Sequence, residues 1–171
     1  MQKDILQILL EKENRCRNLQ RQARAALERN NMVPNEEQCS YLQMAADLPQ
    51  HYERHMDAFQ FIKDVAVDWS ESHYLMAEPG DYIIVARKAK GTGLWFLGGV
   101  VDEQTRSFEI PLSFLEGGAS YEAMVYRDDE TAHYKTNPQA YVIEKKNVTA
   151  EDSLDIIAAH GGGFAVSFKR L

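Results

Sequence analysis

The chain has 171 residues, 44% of them hydrophobic and 26% charged, the balance of one folded domain with an appended segment and not of a disordered chain. Its formal net charge is -7, which argues against nucleic-acid phosphates or anionic lipid as partners. No apolar run is long enough to span a bilayer, and the two cysteines, Cys16 and Cys39, are too few to specify a disulfide framework or a metal site.

The amino end carries a short apolar patch at 5–10, interrupted by Gln7. It has neither a full apolar signal region nor a small-residue cleavage site, so no signal peptide is expected. Residues 2–30 contain no Gly or Pro and are rich in Leu, Glu, Gln, Arg and Ala, a helix-forming composition. Leu6, Leu9, Leu10, Cys16, Leu19, Ala23, Ala26 and Leu27 form a stripe that is polar at 11–15. That gap suits a solvated helix; self-association through a coiled coil would need a filled seam. A turn at 30–35 contains Pro34. A second helical stretch covers 36–47, with Leu48 and Pro49 as its stop, and a short helix at 59–65 turns Phe59, Ile62 and Val65 inward.

From Tyr74 onward the period becomes two. A short strand at 74–77 ends at Glu78-Pro79-Gly80. Runs at 82–86 and 94–101, joined by the charged, glycine-containing segment 87–93, read as a β-hairpin. Apolar residues on both parities predict central strands with two covered faces. Further strands are expected at 106–112, 121–127, 141–147, 154–158 and 164–168, with Pro111 marking a strand end or an edge. Seven or eight short strands without intervening helices predict an antiparallel β-sandwich, mostly β overall, preceded by two or three α-helices.

The residues offer little chemistry. His51 and His55 could share a helical face, but Tyr52 stands where a zinc protease places its glutamate. Asp128, Asp129 and Glu130, near Asn137, are hard oxygen ligands on a loop and so weak calcium candidates; they lack the alternating spacing of a calcium loop. Of Trp69, Trp95, Tyr82, Tyr126, Tyr134 and Tyr141 most sit inside strand patterns, and Tyr134, on a loop, is the least explained by packing, which makes it the weak candidate for a sugar-stacking platform. Gly161-Gly162-Gly163 leads into a strand and not a helix, so it reads as a tight turn. Ser70, Ser72 and His73 lack the third group and the elbow of a serine hydrolase.

Several runs taken in order resemble a known family. They are Leu42-Gln43-Met44-Ala45-Ala46-Asp47-Leu48-Pro49, Phe59-Gln60-Phe61-Ile62-Lys63-Asp64-Val65, Val67-Asp68-Trp69, Gly80-Asp81-Tyr82, Val85-Ala86-Arg87, Trp95-Phe96-Leu97-Gly98-Gly99, Pro111-Leu112-Ser113-Phe114-Leu115 and Gly161-Gly162-Gly163-Phe164. Over about 41–171 the chain resembles the carboxy-terminal region of glycoside hydrolase family 97, bacterial α-glucosidases and α-galactosidases that are often periplasmic. The resemblance implies a terminal β-sandwich at 74–171, preceded at 39–73 by a helical linker like the end of a (β/α)8 barrel. Residues 1–38, a helical segment, do not match.

The family's catalytic glutamates and calcium ligands lie upstream of the matching region, so no catalytic residue and no cofactor is expected in this chain. The resemblance thus implies a non-catalytic domain that is accessory to a barrel. Its expected partners are that barrel, a carbohydrate, or another copy through the amino-terminal helix, with Leu42, Met44, Phe59 and Phe61 as a further apolar face.

Overall fold

The computed structural model describes residues 49–171. The expected helices at 2–30 and 36–47, and association through them or through Leu42 and Met44, lie outside the described residues. The chain divides into two compact units, Met1–Asp68 and Trp69–Leu171. No helix among the described residues is long and apolar enough to cross a membrane.

In the first unit, α1 (Pro49–Tyr52) runs through a 3-10 turn (Glu53–His55) to α2 (Met56–Asp64). Pro49 is the first residue of α1, where its missing N–H costs nothing; the helix at 36–47 that it is expected to end lies outside the described residues. The helix expected at 59–65 starts earlier, at Met56. Val65 has left helical geometry, although its N–H still donates to the Phe61 carbonyl at 2.8 Å. Phe59 is buried, with its ring centroid 4.9 Å from that of Tyr52.

The second unit is all β. Its strands are β1 (Trp69–Glu78), β2 (Tyr82–Ala89), β3 (Trp95–Val101), β4 (Arg106–Pro111), β5 (Ser120–Asp128), β6 (Tyr141–Thr149), β7 (Ser153–Ala158) and β8 (Gly163–Arg170). The strand expected at 74–77 is therefore the end of a longer one that begins at Trp69. Two β-bulges, between Trp69 and Glu71 and between Tyr74 and Met76, break its alternation, which hides its first half from a period-two reading.

Six strands form one sheet in the order β1-β2-β3-β8-β5-β6, and β4 pairs with β7 in a second sheet. Every pairing between strands is antiparallel. The chain crosses to the small sheet after β3 and again after β6. Pro111 is the last residue of β4, opposite Ser153, at a strand end where a missing N–H is tolerated. The turn into β2 places Pro79 before Gly80, whose φ of 91° only glycine adopts readily, and closes with Asp81 N–H donating to the Glu78 carbonyl at 3.0 Å.

The core lies between the sheets. Ile84, Ala86, Trp95, Leu97, Tyr121, Ala123, Val125, Val166 and Phe168 from the large sheet meet Phe108, Ile110, Leu154, Ile156 and Ala158 from the small one. Two strands cannot cover six, and the connection from β4 to β5 helps close the remainder. Leu112, Leu115 and Ala119 are buried there, and the Phe114 ring lies 5.1 Å from Trp95 and 5.7 Å from Phe168.

The outer face of the large sheet departs from the expectation that both faces of the β2–β3 hairpin are covered. At one end Trp69 packs edge-on against buried Phe96, centroids 5.7 Å apart, with the Arg87 guanidinium 5.6 Å over its ring. At the other end Ile83 and Val100, directly paired in register, are exposed. A two-parity apolar pattern does not distinguish a covered face from an apolar face left open.

Candidate functional site

The carboxylate and glycine candidates converge at the far end of β5. Asp128 closes that strand, and its Oδ2 accepts the backbone N–H of Ala159 at 2.9 Å and of Gly163 at 2.8 Å. It thereby holds the turn that leads into β8. Each glycine of that turn has its own reason to be glycine. Gly161 has φ 69°, a Cβ on Gly162 would overlap the Asp128 carboxylate, and a Cβ on Gly163 would overlap the Gly99 carbonyl of β3. The neighbouring pair in β3 divides: a Cβ on Gly99 would strike the Phe164 ring, whereas Gly98 sits on the outer face with room around it.

The other oxygen candidates have separate tasks. Asp129 Oδ1 accepts the Thr131 N–H at 2.8 Å and the Thr131 hydroxyl at 2.6 Å. Those bonds hold the Asp129 carboxyl below the ordinary range. Asn137 Nδ2 donates to the Thr131 carbonyl and hydroxyl at 3.3 and 3.1 Å, while Glu130 is exposed. Among the described residues no three His, Cys, Asp or Glu side chains are grouped to hold a metal ion.

Tyr134 is 45% exposed but packed on one side. Its ring stacks on His133, centroids 5.0 Å apart and planes at 10°, and its Cβ lies against Gly161. Lys135 Nζ stands 5.1 Å from the ring centroid. His133 in turn lies 5.1 Å from the His160 ring, whose Nδ1 donates to the Glu103 carbonyl at 2.8 Å. This His133–Tyr134–His160 cluster has no sequence signature, because only the pairing of β5 and β8 brings the two segments together.

Beside the cluster runs a groove of about 600 Å³, bordered by Glu109, Asp128, Glu144, Asp155, Arg127 and His160. Arg127 forks onto Glu144 and also donates to the Asp128 carbonyl at 3.1 Å. Lys146 reaches Glu144 at 3.2 Å. The Arg127 hydrogen bond, ahead of the Lys146 contact, holds the Glu144 carboxyl below its usual range. The Ser70 hydroxyl donates to the Lys88 carbonyl at 3.4 Å, and His73 contacts Glu71, not a serine. Trp95 is buried, and Tyr82 packs on Phe108, so these two strand aromatics serve the fold.

Comparison with known proteins places these features. The family model described as "Glycosyl-hydrolase 97 C-terminal, oligomerisation" matches residues 68–169. The chain is 35% identical over 126 residues to a retaining alpha-galactosidase of Bacteroides thetaiotaomicron, covering 74% of this chain and 18% of that protein. It is 26% identical over 126 residues to a probable retaining alpha-galactosidase of Streptomyces bingchenggensis. A glycoside hydrolase family 97 enzyme of Pseudoalteromonas sp. strain K8, solved in complex with acarbose, superposes with TM-score 0.74 at 47% identity, over 75% of this chain and 20% of that one. The chain thus spans about a fifth of the length of these relatives.

Proposed function

Because the chain belongs to glycoside hydrolase family 97, matching its carboxy-terminal region, we propose that it is the non-catalytic, assembly-forming part of an enzyme that acts on α-linked sugars. The observation that carries this reading is coincidence: the match to an oligomerisation region covers residues 68–169, nearly the whole of the compact β unit Trp69–Leu171. The candidate side chains support it, since Asp128 and Asp129 hold backbone turns and Arg127 is paired with Glu144.

Light scattering on the purified chain tests the assembly, which is expected to be at least dimeric at micromolar concentration. Incubation with nitrophenyl α-glucoside and α-galactoside tests the lack of chemistry. Calcium-dependent turnover above background overturns that part.

A carbohydrate contact is the second reading, and it rests on the partial exposure of Tyr134 on its loop. The His133 ring covers one face and Lys135 Nζ stands over the ring, so a sugar would stack by displacing that lysine. Calorimetry with malto-oligosaccharides decides: heat that is lost in Tyr134→Ala supports it, and no heat with the unaltered chain removes it.

A further inference from the structure

We propose that the outer face of β1, β2 and β3 is a self-complementary docking surface for a second copy of this chain, with the Tyr74 ring of each copy seated in a depression of the other. The inference rests on the assembly reading above and assigns it a surface.

Strand register assembles the patch. Tyr74 pairs with Val85, Ala77 with Ile83, and Ile83 with Val100, so these side chains share one face of three adjacent strands. Tyr74 is 68% exposed, Val100 59% and Ile83 39%. Single exposed apolar residues are ordinary, but a contiguous cluster on a sheet face marks an interaction surface. Ala77, Pro79, Ile83 and Val100 border a shallow depression of about 470 Å³, one register row from the projecting Tyr74 ring. A projection beside a hollow is what a twofold contact requires, because residue i then meets residue j and j meets i.

The match to a region described as one of oligomerisation favours a second copy as the occupant, and the charge pattern of the face permits it. Two chains of net charge -7 repel each other, least where like charges do not face. In the two rows around the hollow the outward positions Tyr74, Ala77, Ile83, Val85, Gly98 and Val100 carry no charge, and Arg87 in the next row is turned over the Trp69 ring. At the rim, Arg106 Nη2 binds Asp81 at 2.8 Å and Asp102 at 3.1 Å, which offsets the carboxylates nearest the hollow; Glu78 remains exposed there.

Docking through the face fits better than extension of the sheet from its β1 edge. That edge carries two bulges and the charged or polar residues Glu71 and His73, the devices that block edge pairing.

The test is light scattering across a concentration series for the unaltered chain, Tyr74→Ala, Val100→Glu and Ile157→Glu. Ile157 is 51% exposed on the small sheet and serves as the control. The unaltered chain should dimerise. Tyr74→Ala and Val100→Glu should each raise the dimer dissociation constant about tenfold or more, as loss of an interface anchor does, and Ile157→Glu should leave it unchanged. Circular dichroism should show the same β signal in all four. A dimer untouched by Tyr74→Ala and Val100→Glu overturns this surface and leaves the assembly reading intact. Equal dissociation by Ile157→Glu also overturns the surface, and an unaltered chain that stays monomeric overturns both.

Discussion

Two regions of the β unit invert the usual link between polarity and function. The end around Asp128 gathers carboxylates, histidines, an exposed tyrosine and a groove, yet its polar atoms bind one another or the backbone: Asp128 to two N–H groups, Asp129 to Thr131, Arg127 to Glu144. The outer face of β1–β3 holds no chemistry, yet it leaves Tyr74, Ile83 and Val100 in water. Satisfied polar groups serve the fold, whereas unburied apolar groups call for a partner. Residue type alone would rank the two regions the other way.

The sharpest way to break that contrast is to attack the Asp128 end and ask whether the fold fails. Gly163→Ala should cost most, about 3 kcal/mol, because its Cβ would meet the Gly99 carbonyl and only a shift of β8 away from β3 relieves it. Thermal or urea unfolding reads the loss. A melting point unchanged within error would mean that the two strands can separate freely.

Asp128→Ala comes next. It leaves the N–H groups of Ala159 and Gly163 without their acceptor, and an unsatisfied, partly buried donor costs about 1–3 kcal/mol. Asp128→Asn keeps one carbonyl oxygen and should lose roughly half as much. If Asp128→Ala instead leaves stability intact and abolishes an activity, the carboxylate belongs to chemistry and the contrast fails. On the open face the reverse holds. Val100→Glu should change monomer stability by less than about 0.5 kcal/mol, as exposed substitutions do, while it weakens self-association.

Much of this was legible in the sequence. Apolar runs and strand alternation from Tyr82 to Phe168 located seven strands to within about three residues of their ends, the alternation being clearest in β4, β5 and β7, where one face is buried and period two records it. β1 was only half legible, since its bulges reset the alternation. The glycine run at 161–163 read as a turn from its neighbours alone, but the Asp128 carboxylate that explains Gly162 comes from another strand and leaves no local mark. The open face was the largest misreading. Ile83 and Val100 look the same in a sequence whether a layer covers them or water does, because periodicity reports side-chain direction and not what lies beyond it.

The smallest expected effect lies at the border of the open face, where Arg106 clasps Asp102 and Asp81. The Arg106 hydrogen bond holds the Asp102 carboxyl below its ordinary value; partial burial opposes this, and the Gln104 N–H adds to it. A carboxyl depressed in the folded state contributes stability that is fully present above its unfolded value, near pH 4. That contribution fades as pH falls through the lower folded value, where the folded chain takes up the proton too. Asp102→Asn should therefore melt slightly below the unaltered chain at pH 7, and the gap should narrow below about pH 4 and close at lower pH. Melting curves at pH 7, 5, 4 and 3 follow it. A gap that persists undiminished at the acid end would assign the loss to the shape of the clasp and not to its charge, and the border would then be ordered by packing, like the core behind it.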